Sequence, residues 1–195
     1  MRILFDTNVI LDVLLKRQPH EKNARWLVRH VEKGGVEGLL AATTLTTIDY
    51  VAGRAEGHSK AQRDIRILLT LFETAAVDHA VLVAAWSHPI ADFEDAVIHE
   101  AARHANADGI VTRNLDDFDT ATLPVYSPPA LVRVLRNLPC DLTARHFEPR
   151  IVVRGRLERS GDEKAPCGSP SGNLFQTSRI ARMKEILRPS GPQND

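Results

Sequence analysis

The chain is poor in the features that point directly to a class. Its 195 residues include two cysteines, Cys140 and Cys167. That is too few for a disulfide framework, so a reducing, cytoplasmic setting is expected. No apolar run reaches the length of a signal-peptide core or a membrane span, and the opening MRILFDTN already carries Arg2 and Asp6. Neither secretion nor membrane insertion is expected. Net charge is missing too: 25 Lys and Arg balance 25 Asp and Glu, so the overall charge selects no partner. The distribution is less even. Residues 1–140 hold 15 basic and 18 acidic side chains, whereas residues 141–195 hold 10 and 7. No internal repeat is visible. What remains is an ordinary globular composition, 43% hydrophobic and 26% charged, with length for one domain and some residues to spare.

Hydrophobic patterning divides the first part into alternating strands and helices. RILF (2–5) is a short apolar run that stops abruptly at Asp6. From Val9 to Leu15 the apolar residues are nearly continuous, as in a helix buried on most sides. ARWLVRHVEKGG keeps helical spacing through Ala24, Leu27, Val28 and Val31 and ends at Gly34–Gly35. EGLLAA (37–42) reads as a strand, and TTLTTIDYVAGR as a helix capped by threonines with Gly53 near its end. SKAQRDIRILLTLFE (59–73) is amphipathic, with Ile65, Leu68, Leu69 and Phe72 on one face. HAVLVAAWS and ADFEDAVIHEAARHANA read as helices, GIVT and LPVY as strands, and PPALVRVLRNL as a closing helix opened by prolines. Strands separated by helices imply a mainly parallel sheet covered on both faces. After about Leu138 periodicity fades, and ERSGDEKAPCGSPSGN is polar and turn-rich. The expected organisation is a domain over 1–140 and a basic, largely disordered tail over 141–195, with a short helix conceivable around QTSRIARMKEIL.

The acidic residues gain meaning from that topology. In open α/β sheets, ligands gather beyond the carboxyl ends of the strands. Asp6 stands just past the first strand; Asn114, Asp116 and Asp117 follow GIVT; Asp92 and Asp95 open the helix that leads into GIVT. A cluster of carboxylates at one sheet edge repels itself unless a cation neutralises it. Oxygen donors alone favour a hard ion, Mg²⁺ or Mn²⁺, which can polarise a phosphate and activate water. Plainer roles compete at each position. Asp6 can open a turn, Asp92 has the spacing of a helix N-cap, and Asp95 falls at the N3 position of a capping box. Asn114 can be a turn residue, and only one of Asp116 and Asp117 is expected to face inward.

The segments ILFDTNVILDVLLKR, ADFEDAVIHEAA and ADGIVTRNLDDF, in that order and at these intervals, resemble the PIN domain, in particular its branch of VapC-type toxins. The resemblance covers roughly residues 1–138. It implies an α/β fold, a three-layer α/β/α sandwich with a mainly parallel central sheet, and a Mg²⁺-dependent endoribonuclease for which Mn²⁺ can substitute. On this resemblance Asp6 and Asp95 match metal-binding acidic positions. Asn114 and Asp117 match the polar pair of the TRN-x-x-DF ending, and Asp92 becomes a further candidate for the metal. An RNA substrate, a small antitoxin protein and a homodimer are also implied.

One position departs from the family pattern, which carries Glu or Asp on the helix after the second strand. Thr47 stands there. Asp49 is two residues on, a rotation of about 200° that puts it on the opposite face. The site is therefore expected to be one carboxylate short, which keeps open a catalytically degenerate PIN-like module that binds RNA or protein. Other rivals are weaker. A haloacid-dehalogenase-type phosphatase needs a second carboxylate where Asn8 stands, and a receiver domain needs an acidic pair at the first strand end. HEAARH spaces His99 and His104 five apart rather than four, too far round the helix for a zinc pair, so both are expected to be exposed.

Overall fold

The abrupt apolar runs become the strands of one sheet. The computed structural model describes residues 1–137. In chain order the elements are β1 (Arg2–Phe5), α1 (Thr7–Leu14), α2 (Glu21–Glu32), β2 (Glu37–Ala41), α3 (Ala42–Glu56), α4 (His58–Leu71), β3 (Glu73–Ala75), α5 (His79–Trp86), α6 (Phe93–His104), β4 (Gly109–Val111), a 3₁₀ turn (Leu115–Phe118), β5 (Val125–Tyr126) and α7 (Pro128–Asn137). The five strands lie in the order β3-β2-β1-β4-β5, and every pair is parallel. The expected three-layer α/β/α sandwich is the observed one.

The pleat divides the core in two. Ile3, Phe5, Leu40 and Val111 point to one face, where they meet α1, α2, α4 and α7 through residues such as Ile10, Leu27, Leu68 and Leu131. Leu4, Leu39, Ala41 and Ile110 point to the other, against Val81 and Ala85 of α5 and Val97, Ala101 and Ala102 of α6. Alternation within each strand therefore glues helices to both faces. Small residues set the closest approaches. A β-carbon on Gly38 of β2 would lie 2.6 Å from the Phe72 ring and 2.9 Å from Val31 Cγ1. The absence of a side chain there lets Phe72 pack edge-on against Phe5, ring centroids 5.2 Å apart.

The structure corrects several local expectations. β3 went unseen because Glu73–Ala75 is three residues long, lacks an apolar run and buries one side chain. No threonine caps α3: its N-cap is Ala41, with no side-chain hydrogen bond, and the helix continues past Gly53 to Glu56. Gly57, at φ +91°, ends α3 and opens α4. Leu69 is exposed, and the buried residues of α4 are Ala61, Asp64, Ile67 and Leu68. The proposed basic tail over 141–195, with its conceivable short helix, lies outside the described residues.

Gly38→Ala should destabilise the domain by about 1–3 kcal/mol, because Phe72 and Val31 must both give way to the new methyl. Urea or thermal denaturation checks this, and an unchanged midpoint would show that the contact relaxes freely.

Candidate active site

Strand order reverses at the centre of the sheet. β2 lies on one side of β1 and β4 on the other, so the connections leaving these two carboxyl ends diverge and open a crevice. Asp6 follows β1 directly, its N–H donates to Val111 O (3.0 Å), and it is 3% exposed. Thr112 follows β4 and is fully buried. Its hydroxyl donates to Asp6 Oδ2 (2.8 Å) and accepts the N–H of Asn114 (3.0 Å). One hydroxyl thereby ties Asp6 to the backbone that turns away into the 3₁₀ segment. Thr112 was missed by sequence reasoning. Its signal was a hydroxyl closing a buried strand, where it needs a partner.

A third segment enters from α6. Asp92 is its N-cap, with Oδ1 accepting the N–H groups of Glu94 (2.8 Å) and Asp95 (3.2 Å), as the capping spacing predicts. The cap places Asp95, half-buried, among acidic neighbours. Burial pushes its carboxyl up to about 7, and the charges of Asp6, Asp92, Asp117 and Glu94 push the same way. Burial also raises Asp6, against the Thr112 hydrogen bond and the nearby N–H groups of Thr7 and Asn8, although neither amide closes a cap bond. Both Asp116 and Asp117 in the 3₁₀ turn are exposed, so neither faces inward as expected of one of them, and the charge of Asp117 is among those that raise Asp95. Asn114 is exposed at the head of that turn.

The structure therefore gathers Asp6, Asp95 and Asp117, sets Asn114 beside them, and employs Asp92 as a cap. It adds Glu94, exposed in the first turn of α6, which sequence reasoning did not single out. Thr47 does face this place: its Oγ1 lies 3.4 Å from Glu94 Oε1. A part-buried ion pair supports the crevice from behind. Arg113 donates to Asp12 Oδ1 of α1 (3.0 Å), anchoring the residue between Thr112 and Asn114.

A second cluster, His88, His99 and Glu100, has ligand atoms close enough together to hold an ion. His99 is fully buried, correcting its expected exposure; His104 is exposed. Helix α6 sets His99 against the His88 ring, centroids 4.3 Å apart, and against Thr122 rather than turning it to solvent. The proton positions argue against metal. His88 Nδ1 accepts the Ile90 N–H (3.2 Å) and His99 Nε2 accepts the Thr122 N–H (3.1 Å). In the neutral rings the protons then reside on His88 Nε2 and His99 Nδ1, the atoms facing Glu100 Oε1 at 3.9 and 3.1 Å. An ion would have to displace both protons and break both backbone bonds. The trio is a buried hydrogen-bond network joining α6 to the loop before β5, and burial lowers the pKa of His99 accordingly.

Residues 2–116 match the family model of the PIN domain. The chain belongs to the PIN domain family. Similar folds occur in a chain of VapBC2 from Rickettsia felis bound to a promoter DNA fragment (16% identity, 65% of this chain and 98% of that one, TM-score 0.50). VapBC-1 from nontypeable Haemophilus influenzae matches at 18% identity over 66% and 99%, TM-score 0.50. FitAcB from Neisseria gonorrhoeae matches at 22% over 65% and 97%, TM-score 0.50. At these identities the likeness establishes the fold. No curated protein sequence matches the chain. In this PIN domain the clustered donors are all carboxylate oxygens, a set suited to a hard divalent cation rather than to zinc. Among the described residues no helix is long and apolar enough to cross a membrane.

Without metal, the fold favours protonated Asp95. The stability that this proton contributes is complete below the ordinary carboxyl value of 3.8 and is lost as pH rises through about 7. Asp95→Asn is neutral throughout. In chelator the variant should melt above the wild type at about pH 8, and the gap should shrink on acidification and close near about pH 4. Melting curves across that range check this, and a gap independent of pH would show that Asp95 is not crowded.

Proposed function

We propose that this PIN domain is a metal-dependent endoribonuclease that hydrolyses RNA phosphodiester bonds and acts as the toxin of a toxin–antitoxin pair. One observation carries the reading. Asp6, Asp95 and Asp117, from three distant segments, converge where the strand order reverses, and no basic side chain among the described residues forms an ion pair with any of them. Such a cluster is stable only when protonated or when a cation sits in it. Asp6 and Asp95 would be the principal ligands of Mg²⁺, or of Mn²⁺ in its place, with Asp117 and Asp92 at hand. Bound there, the ion would supply charge neutralisation and the activation of water and phosphate for in-line displacement.

The remaining tasks fall to the chain itself. Thr112 holds Asp6 in one orientation. The N-terminus of α6 presents the positive end of its dipole to an incoming phosphate. Asn114 offers an exposed amide beside the acidic group. Trp86 and Phe93 are exposed, with ring centroids 6.0 Å apart, and Phe93 lies in the same helical turn as Glu94. They offer unstacked bases a surface, which favours single-stranded RNA. The partners in this reading are an RNA, a small antitoxin protein and a second copy of the chain. The fold shared with chains of VapBC and FitAcB complexes supports the toxin role. Residues 141–195 would be a basic, solvated appendage, with contact to RNA backbone as the second reading of the same residues.

Asp6→Asn should abolish cleavage of single-stranded RNA in Mg²⁺ or Mn²⁺, as should chelator, while the variant stays folded. Full activity in a rigorously purified Asp6→Asn protein would sink the assignment. Thr47 favours a second reading, a module that binds RNA without cutting; wild type that binds metal and RNA yet leaves the RNA intact would establish it. Removing residues 141–195 should leave the melting temperature unmoved; weaker RNA binding with a flatter dependence on salt would establish their contact with RNA backbone. Aggregation of the shortened chain would show that the domain extends further.

A further inference from the structure

The family pattern has an acidic side chain on the helix after β2, and α3 carries a hydroxyl there instead. The register of α3 is not the explanation. Ile48 is fully buried and Leu45 packs against the core, so Thr47 lies on the flank of α3 that faces the crevice. The group it meets is Glu94, whose carboxylate lies 3.4 Å from the hydroxyl across 47 residues of sequence. A strong hydroxyl–carboxylate bond is nearer roughly 2.7 Å. The two are thus neighbours across a gap rather than a locked pair, and Glu94 is free to turn toward an ion.

The backbone of Glu94 is nevertheless fixed, because its N–H donates to the Asp92 cap (2.8 Å). Its charge bears on both Asp6 and Asp95. Among the described residues it has no ion pair of its own, whereas other acidic side chains, such as Glu21, Glu37 and Glu56, do. Asp49 is no alternative; its Oδ1 is buried on α3 without a hydrogen-bond partner. A glutamate, one methylene longer than aspartate, is the acidic side chain suited to reach across from the first turn of α6.

We infer that Glu94 supplies from α6 the metal-ligating carboxylate that α3 lacks, with the Thr47 hydroxyl beside it as an orienting neighbour. The site then carries its full negative charge through a ligand moved from one helix to another. The expectation of a site one carboxylate short overlooked this exchange. Thr47 is also what makes the exchange possible, since an acidic side chain there would sit against Glu94 and repel it.

This inference rests on the metal-dependent reading of the site, and the test separates the two. Mn²⁺ is titrated calorimetrically into the full chain, and the rise in melting temperature with Mn²⁺ is recorded. The proteins compared are wild type, Asp6→Asn, Glu94→Gln, Asp116→Asn, and Glu94→Gln combined with Thr47→Glu. Glu94→Gln should weaken Mn²⁺ binding about ten- to a hundredfold and shrink the thermal shift, while its metal-free melting temperature equals or exceeds that of wild type. Asp116→Asn, which removes an exposed carboxylate outside the cluster, should bind as wild type does. Adding Thr47→Glu to Glu94→Gln should recover affinity by returning the charge to α3. If wild type binds Mn²⁺, Asp6→Asn does not, and Glu94→Gln binds as tightly as wild type, the inference falls and the nuclease reading stands. A loss in Glu94→Gln that Thr47→Glu leaves unrepaired also overturns the exchange of one position for the other. Wild type that binds no Mn²⁺ overturns both readings.

Discussion

The hydrogen bond from Thr112 to Asp6 joins the two strand ends between which everything else is arranged. Asp6 closes β1 and Thr112 closes β4, the neighbours at which strand order reverses. A parallel sheet with helices on both faces leaves its carboxyl edge as the place where backbone ends and side chains begin. That edge here holds a carboxylate that is almost wholly buried. Burial raises its pKa. A hydroxyl donor and the amides at the start of α1 oppose that tendency. The edge is thus poised between protonation and the need for a cation, the balance a metal-dependent site requires.

Such poise is bought with stability. Asp95 titrates near neutrality because burial and surrounding acids disfavour its charge, so a metal-free domain at neutral pH holds repulsion that its fold must overcome. The support comes from hydrogen bonds and an ion pair around the cluster. The Asp92 cap fixes the first turn of α6, and the pair between Arg113 and buried Asp12 anchors the chain leaving β4 to α1. Removing one member of a buried pair is costly because it strands the other. The rigidity around the crevice therefore comes from a cap local to α6 and from an ion pair that ties the end of β4 to α1.

The two clusters of ionisable groups differ in a way that composition does not show. His88, His99 and Glu100 lie closer together and look richer in ligands. Each imidazole already accepts a backbone N–H, which directs its own proton toward Glu100. The acidic group at the sheet edge has no such closure. Its members are crowded by like charge and lack paired bases among the described residues, and that unmet electrostatic demand makes it the candidate site.

By itself the sequence determined most of the alternation of strands and helices, the parallel sheet and the family, and it set Asp6 just past the first strand and Asp95 at the head of α6. These follow from local facts: apolar runs that stop abruptly, a capping spacing before α6, and polar residues just past a buried strand. Even the register of α3 was legible, since Leu45 and Ile48 fix which side of the helix Thr47 occupies. The short strand β3 was not, because three residues carry too little pattern and its place comes from pairing with β2. The burial of His99 was not, because a spacing of five excludes a zinc pair without saying which residue faces the sheet. Thr112 and Glu94 were left unassigned for the same physical reason. A hydroxyl at a strand end and a glutamate in a first helical turn are ordinary in sequence. Only the tertiary packing of β1, β4, α3 and α6, elements distant along the chain, sets the first against Asp6 and the second against Thr47.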